Sequence, residues 1–155
     1  MRLVETRTGL QVLIRGPRVS DDGYIFRSAL GRIRTCEGLK NLPQDLFYAS
    51  AGELFRNRWN DQARTRLVAC LPTDEDFILG FALGEPTVPL VDYVHTRGGF
   101  TGQGVATLLL HVLGLTQERT GLITFATVDY RRRRSWPLLK VAGLITPDER
   151  NGDEK

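Results

Sequence analysis

The chain has 155 residues, about the length of one domain and enough to bury a hydrophobic core without disulfides. Hydrophobic residues make up 41% and charged residues 25%, a composition that excludes collagen, coiled coils and mostly disordered chains. The net charge of +3 is too small to indicate a nucleic-acid partner, and two cysteines do not make a disulfide scaffold. Because no apolar run approaches about 18 residues, we expect no membrane span and a reduced, cytoplasmic environment.

The first part of the chain predicts one strand and two helices. The apolar run Gln11–Arg15 is stopped by a Gly-Pro pair, which is typical of a strand end. Asp21 and Asp22 offer N-cap oxygens for an amphipathic helix that reaches Ile33. A second helix is predicted over 44–59, with an apolar stripe formed by Leu46, Phe47, Leu54 and Phe55.

Three strands are predicted next, over 65–71, 76–83 and 88–95. The polar turn between the first two predicts an antiparallel hairpin. Pro89 should lie at the start of the third strand or on a sheet edge, because proline cannot donate a ladder hydrogen bond. A glycine-rich stretch, 97–104, then leads into an apolar helix.

The last part of the chain predicts a strand over 122–128, a short helix over 135–142 and a final strand over 144–146. The order of elements indicates an α/β fold, one mixed sheet with flanking helices and no regular βαβ alternation. We expect a single domain over 1–146 and a polar C-terminal tail over 147–155.

The glycine-rich stretch is the strongest functional signal. A strand that enters a helix through several glycines exposes successive N–H groups, which form an anion site together with the positive end of the helix. Glycines without a Cβ let the backbone approach a bulky phosphate, although a tight strand-to-helix turn is the structural alternative. The predicted amide donors are those of Gly102, Gln103, Gly104, Val105, Ala106 and Thr107.

Two common phosphate motifs do not fit this stretch. Val105 stands where a P-loop requires lysine, and Thr107 stands where the dinucleotide fingerprint requires its third glycine. The sequence therefore predicts neither ATP hydrolysis nor dinucleotide binding.

The segment 91–109 resembles the fourth strand, pyrophosphate loop and third helix of the GCN5-related N-acetyltransferases. Gly104 and Ala106 match the small positions of that family's arginine/glutamine-x-x-glycine-x-glycine/alanine signature. Thr101 stands at the position of the long side chain, with Arg97 or Gln103 as candidates to replace it. The order of elements also matches. In finer detail, the segment 21–28, the strand that ends at Pro72 and the residues 78–80 look like acetyltransferase-like proteins encoded by tailed phages.

The resemblance implies a central, twisted, mostly antiparallel sheet and transfer of an acetyl group from acetyl-CoA, as co-substrate, to a primary amine. Backbone N–H groups of the fourth strand would polarise the thioester carbonyl. The implied acetyl-CoA-binding residues, with no metal expected, are Val94, Thr96, Thr101, Gly102, Gln103, Gly104, Val105, Ala106 and Thr107.

The resemblance implies Asp92 as general base, and His95 is the alternative because an unperturbed imidazole pKa of about 6.5 suits a base. Tyr130 and Tyr93 are the candidates nearby in sequence for the acid of the leaving thiolate. Asp92 and His95 alternate to opposite faces of a strand unless a bulge intervenes, and Asp92 as an ion-paired strand residue is the alternative. Leu139 replaces a tyrosine that many family members carry.

Thr101 and Leu139 also favour a second prediction, an inactive binding or virion-assembly module of a phage, which would place the chain in a host cytoplasm or a virion. The sequence leaves the acceptor open between a small molecule and a protein. Virion proteins and a second copy of the chain also stay open as partners.

Overall fold

Short apolar runs separated by turns pair into one sheet whose strands follow each other in chain order. The structure, a computed structural model, describes residues 1–36, 39–88, 90–115, 122–123 and 140–141. Five strands pair antiparallel with their neighbours, and two further strands continue the sheet in parallel. The strands are β1 Arg2–Glu5, β2 Gln11–Arg15, β3 Thr65–Leu71, β4 Asp74–Glu85, β5 Leu90–Thr96, β6 Leu122–Ile123 and β7 Lys140–Val141.

Among the described residues, helices lie at three places. A 3-10 turn leads into α1, Asp22–Ile33, and α4, Val105–Val112, follows the glycine-rich stretch. The helix predicted over 44–59 consists of α2, Gln44–Phe47, a π-helical turn, Tyr48–Gly52, and α3, Glu53–Asn60.

The helical prediction over 44–59 is confirmed, but its apolar stripe is wrong at Leu46, which is 58% exposed. The buried residues recur at every fourth position, at Phe47, Ala51, Phe55 and Trp59. A π turn has more residues per turn than the 3.6 of an α-helix. Residues four positions apart therefore stay on one face of the helix. Leu46, one position before Phe47, is therefore turned toward solvent.

The sheet separates two hydrophobic cores. On one side, here called the α1 face, the sheet packs against α1 and α3. On the other side, the α4 face, it packs against α4. Large members of the α1-face core are Phe55, Trp59, Phe81, Leu83 and Tyr93. Members of the α4-face core include Val12, Ala69, Leu79, Val91 and Leu109.

Strand β5 contains the bulge on which the catalytic prediction depends. Leu83 of β4 pairs with Tyr93, whereas the next residue, Gly84, pairs with Val91. Asp92 is therefore the extra residue of the bulge, and the usual alternation of side chains is interrupted there. As a result Asp92 and Tyr93 both contact groups of the α1 face.

The structure differs from the sequence predictions toward both ends of the chain. Strand β1 was not predicted, because Arg2–Glu5 has neither alternation nor a turn signal before it. The helix predicted over 135–142 is wrong at Lys140–Val141, which pairs in parallel with β6, a long-range contact that overrides local preference. The strand predicted over 122–128 is confirmed at its first two residues. The remaining predicted elements after 123 lie outside the described residues.

Candidate functional site: the glycine loop and strand β5

The glycine loop, residues 97–104, begins as a continuation of the sheet. The Arg97 amide donates to the Leu79 carbonyl at 2.7 Å, which extends the β4–β5 ladder by one bond. Two turns follow, in which the Phe100 amide donates to the Arg97 carbonyl at 3.1 Å and the Gln103 amide to the Phe100 carbonyl at 3.3 Å. The loop is thus ordered by its own backbone.

Three glycines of the loop have the left-handed conformation that L-residues with a Cβ disfavour. The φ angles are +86° at Gly99, +82° at Gly102 and +85° at Gly104. Gly104 is the N-cap of α4, and its carbonyl accepts the first helical bond from Leu108 at 2.9 Å. Glycine at this position therefore sets the direction in which α4 leaves the loop.

A row of amides at the start of α4 has no backbone acceptor. The first turn of a helix leaves its N–H groups without intrahelical partners. Within the described part of the chain, no backbone acceptor bonds the amides of Gly102, Gly104, Val105, Ala106 and Thr107. The Gln103 amide was predicted as a donor too, but it is engaged by Phe100 inside the loop.

A second pair of amides points outward from β5. In an antiparallel ladder, hydrogen-bonded and non-hydrogen-bonded pairs alternate. Because Arg97 bonds to Leu79, the pair His95–Phe81 is also hydrogen-bonded, and the amides of Val94 and Thr96 point away from β4. The described pairing of β5 with β6 reaches only Val91. The Val94 and Thr96 amides therefore lie on the β6 side of β5, beyond that pairing.

The turn between β1 and β2 supports the glycine loop, and sequence reasoning missed it. The Thr8 hydroxyl donates to the Gln103 carbonyl at 3.0 Å. A Cβ built on Gly104 would lie 3.6 Å from the Thr6 Cβ and 3.9 Å from the Arg7 nitrogen. The Thr-Arg-Thr-Gly sequence at 6–9, with Gly9 at a φ of +85°, was a turn signal that could have located this contact.

Thr101 and Gln103 of the loop do not add a charged side chain to these amides. Thr101 is exposed, and the Gln103 side-chain amide donates weakly to the Gly99 carbonyl at 3.4 Å. The anion-binding capacity of the loop therefore resides in its backbone.

Asp92 is fully buried in an ion-pair network. Its Oδ2 lies 2.6 Å from Nε of Arg64, whose side chain is only 7% exposed, and its Oδ1 lies 4.0 Å from Nε of Arg58. Arg64 also pairs closely with Glu85 and lies 3.9 Å from Asp61. The carboxylate thus connects the bulge of β5 to the residues that follow α3.

His95 lies on the same face of the sheet as Asp92, in a half-buried aromatic setting. Its ring stacks on Phe81, with centroids 5.0 Å apart, and meets the edge of Tyr24 of α1 at 6.2 Å. The structure therefore brings Asp92 and His95 to one face, whereas the loop amides lie at the start of α4. Tyr130 lies outside the described residues.

Arg97 occupies the end of the sheet, where the two faces meet. Its guanidinium lies 4.8 Å from the ring of Tyr24 and 4.2 Å from the ring of Phe77. Phe77 in turn contacts Phe100 of the glycine loop, with centroids 6.0 Å apart. Arg97 is thus held between α1 and the loop by aromatic contacts.

The described residues show neither a metal-binding cluster nor a membrane-spanning helix. In them, no group of three or more His, Cys, Asp and Glu side chains is arranged to hold a metal ion. Their helices are too short or too polar to cross a bilayer.

No protein-family model matches the chain, and the comparison with curated proteins finds no relative. An acetyltransferase of the GNAT family from Staphylococcus aureus Mu50 matches with 12% identity over 81% of this chain and 78% of that chain, with a TM-score of 0.51. A ribosomal-protein-alanine N-acetyltransferase from Brucella melitensis biovar Abortus 2308 matches with 21% identity over 85% and 80%, with a TM-score of 0.41. The Staphylococcus aureus match confirms the fold expected from the sequence, that of the GCN5-related acetyltransferases.

Proposed function

We propose that this chain is an N-acetyltransferase that moves an acetyl group from acetyl-CoA to a primary amine. The observation that carries the proposal is the set of outward amides that runs from Val94 and Thr96 of β5 to Thr107 of α4. In a mixed sheet with the fold of the GNAT acetyltransferases, such a set suits one extended ligand that has amide groups and phosphates.

The loop amides fit the phosphates of the co-substrate by their chemistry. They are donors only, and phosphate oxygens are acceptors that carry negative charge. The N-terminal end of α4 adds a positive partial charge. The first-turn amides point out of this end of the helix, where a phosphate would bind. Arg7, exposed on the β1–β2 turn beside Gly104, offers a mobile cation close to the same place. It could take the role that Thr101 is too short to fill.

The acetyl transfer needs a base for the acceptor and donors for the carbonyl oxygen. We assign the base to His95, because it is half-buried on the α1 face and an imidazole titrates near neutral pH. His95 takes the proton of the amine, whose nitrogen attacks the acetyl carbon to form a C–N bond. The outward β5 amides stabilise the oxyanion, the C–S bond breaks, and the thiolate of CoA takes up a proton.

Asp92 is better suited to hold β5 in place than to accept that proton. Its carboxylate is fully buried and lies against two arginines, so it is turned toward α3 and away from solvent. We propose that it fixes the bulge and thereby the direction of the amides that follow it. Tyr130 stays a prediction for the acid.

The alternative is a module that has this fold but no turnover, including a virion component of a phage. The exposed Thr101 supports it, since the loop lacks the long side chain that its signature position usually carries. Turnover separates the two, because only an enzyme releases free CoA when an amine is added.

The test measures free-thiol release from acetyl-CoA with a panel of amines, for the wild-type chain and for His95→Gln. We expect amine-dependent release that falls at least about 10²-fold in His95→Gln, the usual contribution of a general base. The affinity for acetyl-CoA should stay within about twofold, since the His95 ring packs against Tyr24 and Phe81 on the α1 face whereas the loop amides begin α4. Release that is unchanged in the variant would remove His95 from the mechanism, and binding without any release would favour the non-catalytic module.

A further inference from the structure

Arg97 is held in an unusual way for a side chain at the end of a strand. Among the described residues it is the one arginine whose guanidinium contacts two aromatic rings, those of Tyr24 and Phe77. Such contacts cover the faces of the planar group and fix its orientation. The five N–H donors lie in the plane, where rings offer no acceptor.

Arg15 and Arg64, whose side chains are nearly fully buried, have carboxylate partners, whereas the half-buried Arg97 has none among the described residues. Arg15 forms a two-point pair with Asp21 at 2.7 and 3.0 Å, and Arg64 pairs with Asp92 and Glu85. No carboxylate of the described residues lies within 4.0 Å of the Arg97 guanidinium. The orientation of the Arg97 guanidinium is therefore fixed, but no carboxylate of the described residues neutralises its charge.

Arg97 and His95 belong to the same side of the proposed active site. They are two residues apart on one strand, so their side chains leave the same face. Both contact the ring of Tyr24, at 4.8 Å from the guanidinium and 6.2 Å from the imidazole. A molecule whose amine reaches His95 would meet Arg97 beside the same aromatic ring.

We propose that the amine acceptor carries an oxyanion, a carboxylate or a phosphate, and that Arg97 binds it. This inference rests on the acetyltransferase function proposed above. A planar guanidinium binds such groups through two parallel hydrogen bonds, which also orient the amine toward His95. The two acidic residues nearest to this face, Asp21 and Asp92, are buried in pairs with arginines and do not attract a polycation.

The phosphates of CoA are the competing oxyanion. Their proposed donors, the amides that begin α4, belong to the α4 face, whereas Arg97 lies at the end of the sheet between the two faces, against Tyr24 of α1 and Phe77. Phe77 and Phe100 come from the α4 side, so the experiment must separate the two ligands directly.

The experiment compares matched amines that differ by one oxyanion: ethylamine with β-alanine, and ethanolamine with phosphoethanolamine, with spermidine as a polycation. Acetyl-CoA binding is measured separately by calorimetric titration. For the wild-type chain we expect kcat/KM for an anionic amine to exceed that of its neutral partner at least about tenfold. In Arg97→Gln this preference should disappear while the affinity for acetyl-CoA stays within about twofold, and Arg97→Lys should restore part of it.

Arg56→Gln is the matched control, because Arg56 also stacks on one ring, that of Phe26 at 5.5 Å, but lies on the exposed side of α3. It should leave both readouts unchanged. Equal or better turnover of the neutral amines or spermidine, or acetylation of these amines with none of either anionic amine, would overturn the inference alone. Loss of acetyl-CoA affinity in Arg97→Gln would assign Arg97 to the CoA phosphates instead. Absence of acetyl-CoA binding to the wild-type chain would instead contradict the function on which the inference rests.

Discussion

The glycine loop and the α1 face of β5 adjoin at Arg97, yet they are built from different parts of the chain. The polar groups of the loop are consecutive backbone amides, fixed by positive φ angles at Gly99, Gly102 and Gly104. The polar groups of the α1 face are side chains from separate segments, such as Asp92 and the distant Arg64. Substitutions in the loop should therefore act through backbone geometry and mainly on binding. Those on the face should act through partner groups and on stability or turnover.

The largest expected effect is a loss of stability when the buried ion pair on the α1 face is removed. Asp92→Ala leaves the Arg64 side chain buried with Glu85 as its remaining close partner, which should lower the free energy of unfolding by about 3–5 kcal/mol. Urea unfolding measures this loss. Asp76→Ala is the control, because Asp76 is 87% exposed and 3.9 Å from Arg18, and it should cost no more than about 1 kcal/mol. A stable Asp92→Ala protein that binds acetyl-CoA but has lost turnover would instead make Asp92 the base.

The next effect acts where the two regions share one backbone contact. A Cβ on Gly80 would overlap the His95 carbonyl oxygen and crowd a methyl group of Val105 at 3.1 Å. Gly80→Ala should therefore lower the free energy of unfolding by about 3 kcal/mol, as overpacking of a rigid site does. Gly31→Ala, on an open face within α1, should stabilise the protein by roughly 0.5–1 kcal/mol. A Gly80→Ala protein as stable as the wild type would mean that β5 can shift away from β4.

The third prediction concerns pH and the pair that anchors the start of α1. Burial opposes ionisation of Asp21, but hydrogen bonds from Arg15 and from the Arg18 amide outweigh it and lower the pKa of Asp21 below 3.8. Since a carboxyl with a depressed pKa stabilises the fold only while ionised, this contribution is present above pH 3.8 and disappears as pH falls further.

Asp21→Asn removes that acid-dependent contribution. The variant should be less stable than the wild type by roughly 1–3 kcal/mol at neutral pH, and the difference should narrow below pH 3.8. Urea unfolding at a series of pH values checks this. A difference that stays constant into acid would show that the Asp21 charge adds nothing to stability.

The smallest expected effect is on acetyl-CoA affinity and concerns the contact between the β1–β2 turn and the glycine loop. Thr8→Val removes the hydroxyl that donates to the Gln103 carbonyl and should weaken acetyl-CoA binding by about two- to fivefold, since one exposed hydrogen bond is worth roughly 0.5–1 kcal/mol. Thr35→Val removes a similar exposed bond, to the Arg32 carbonyl, and should leave the affinity unchanged. Equal effects of the two variants on affinity would show that the β1–β2 turn does not support the acetyl-CoA site.

The sequence predicted the loop well because its chemistry is local. Glycines before an apolar helix indicate free amides whatever the rest of the chain does, and four of the five central strands are recognisable from apolar runs and turns. The bulge at Asp92 leaves no mark in the sequence, since its register depends on how Gly84 pairs across the sheet. The residues that contact Asp92 and Arg97 are also far from them in the sequence. The charge environment of both residues therefore could not be predicted without the three-dimensional structure.

The central claim is that the backbone amides after Gly104 hold the phosphates of acetyl-CoA, and calorimetric titration of acetyl-CoA tests it most directly. Gly104→Ala and Gly99→Ala make a matched pair, because both glycines have φ near +85° and neither Cβ would clash. The account predicts saturable binding to the wild-type chain, a loss of at least about tenfold in Gly104→Ala, whose strain falls at the N-cap of α4, and a smaller loss in Gly99→Ala, whose equal strain falls before the row of amides. Absence of binding to the wild-type chain, or equal affinities of the two variants, would contradict it.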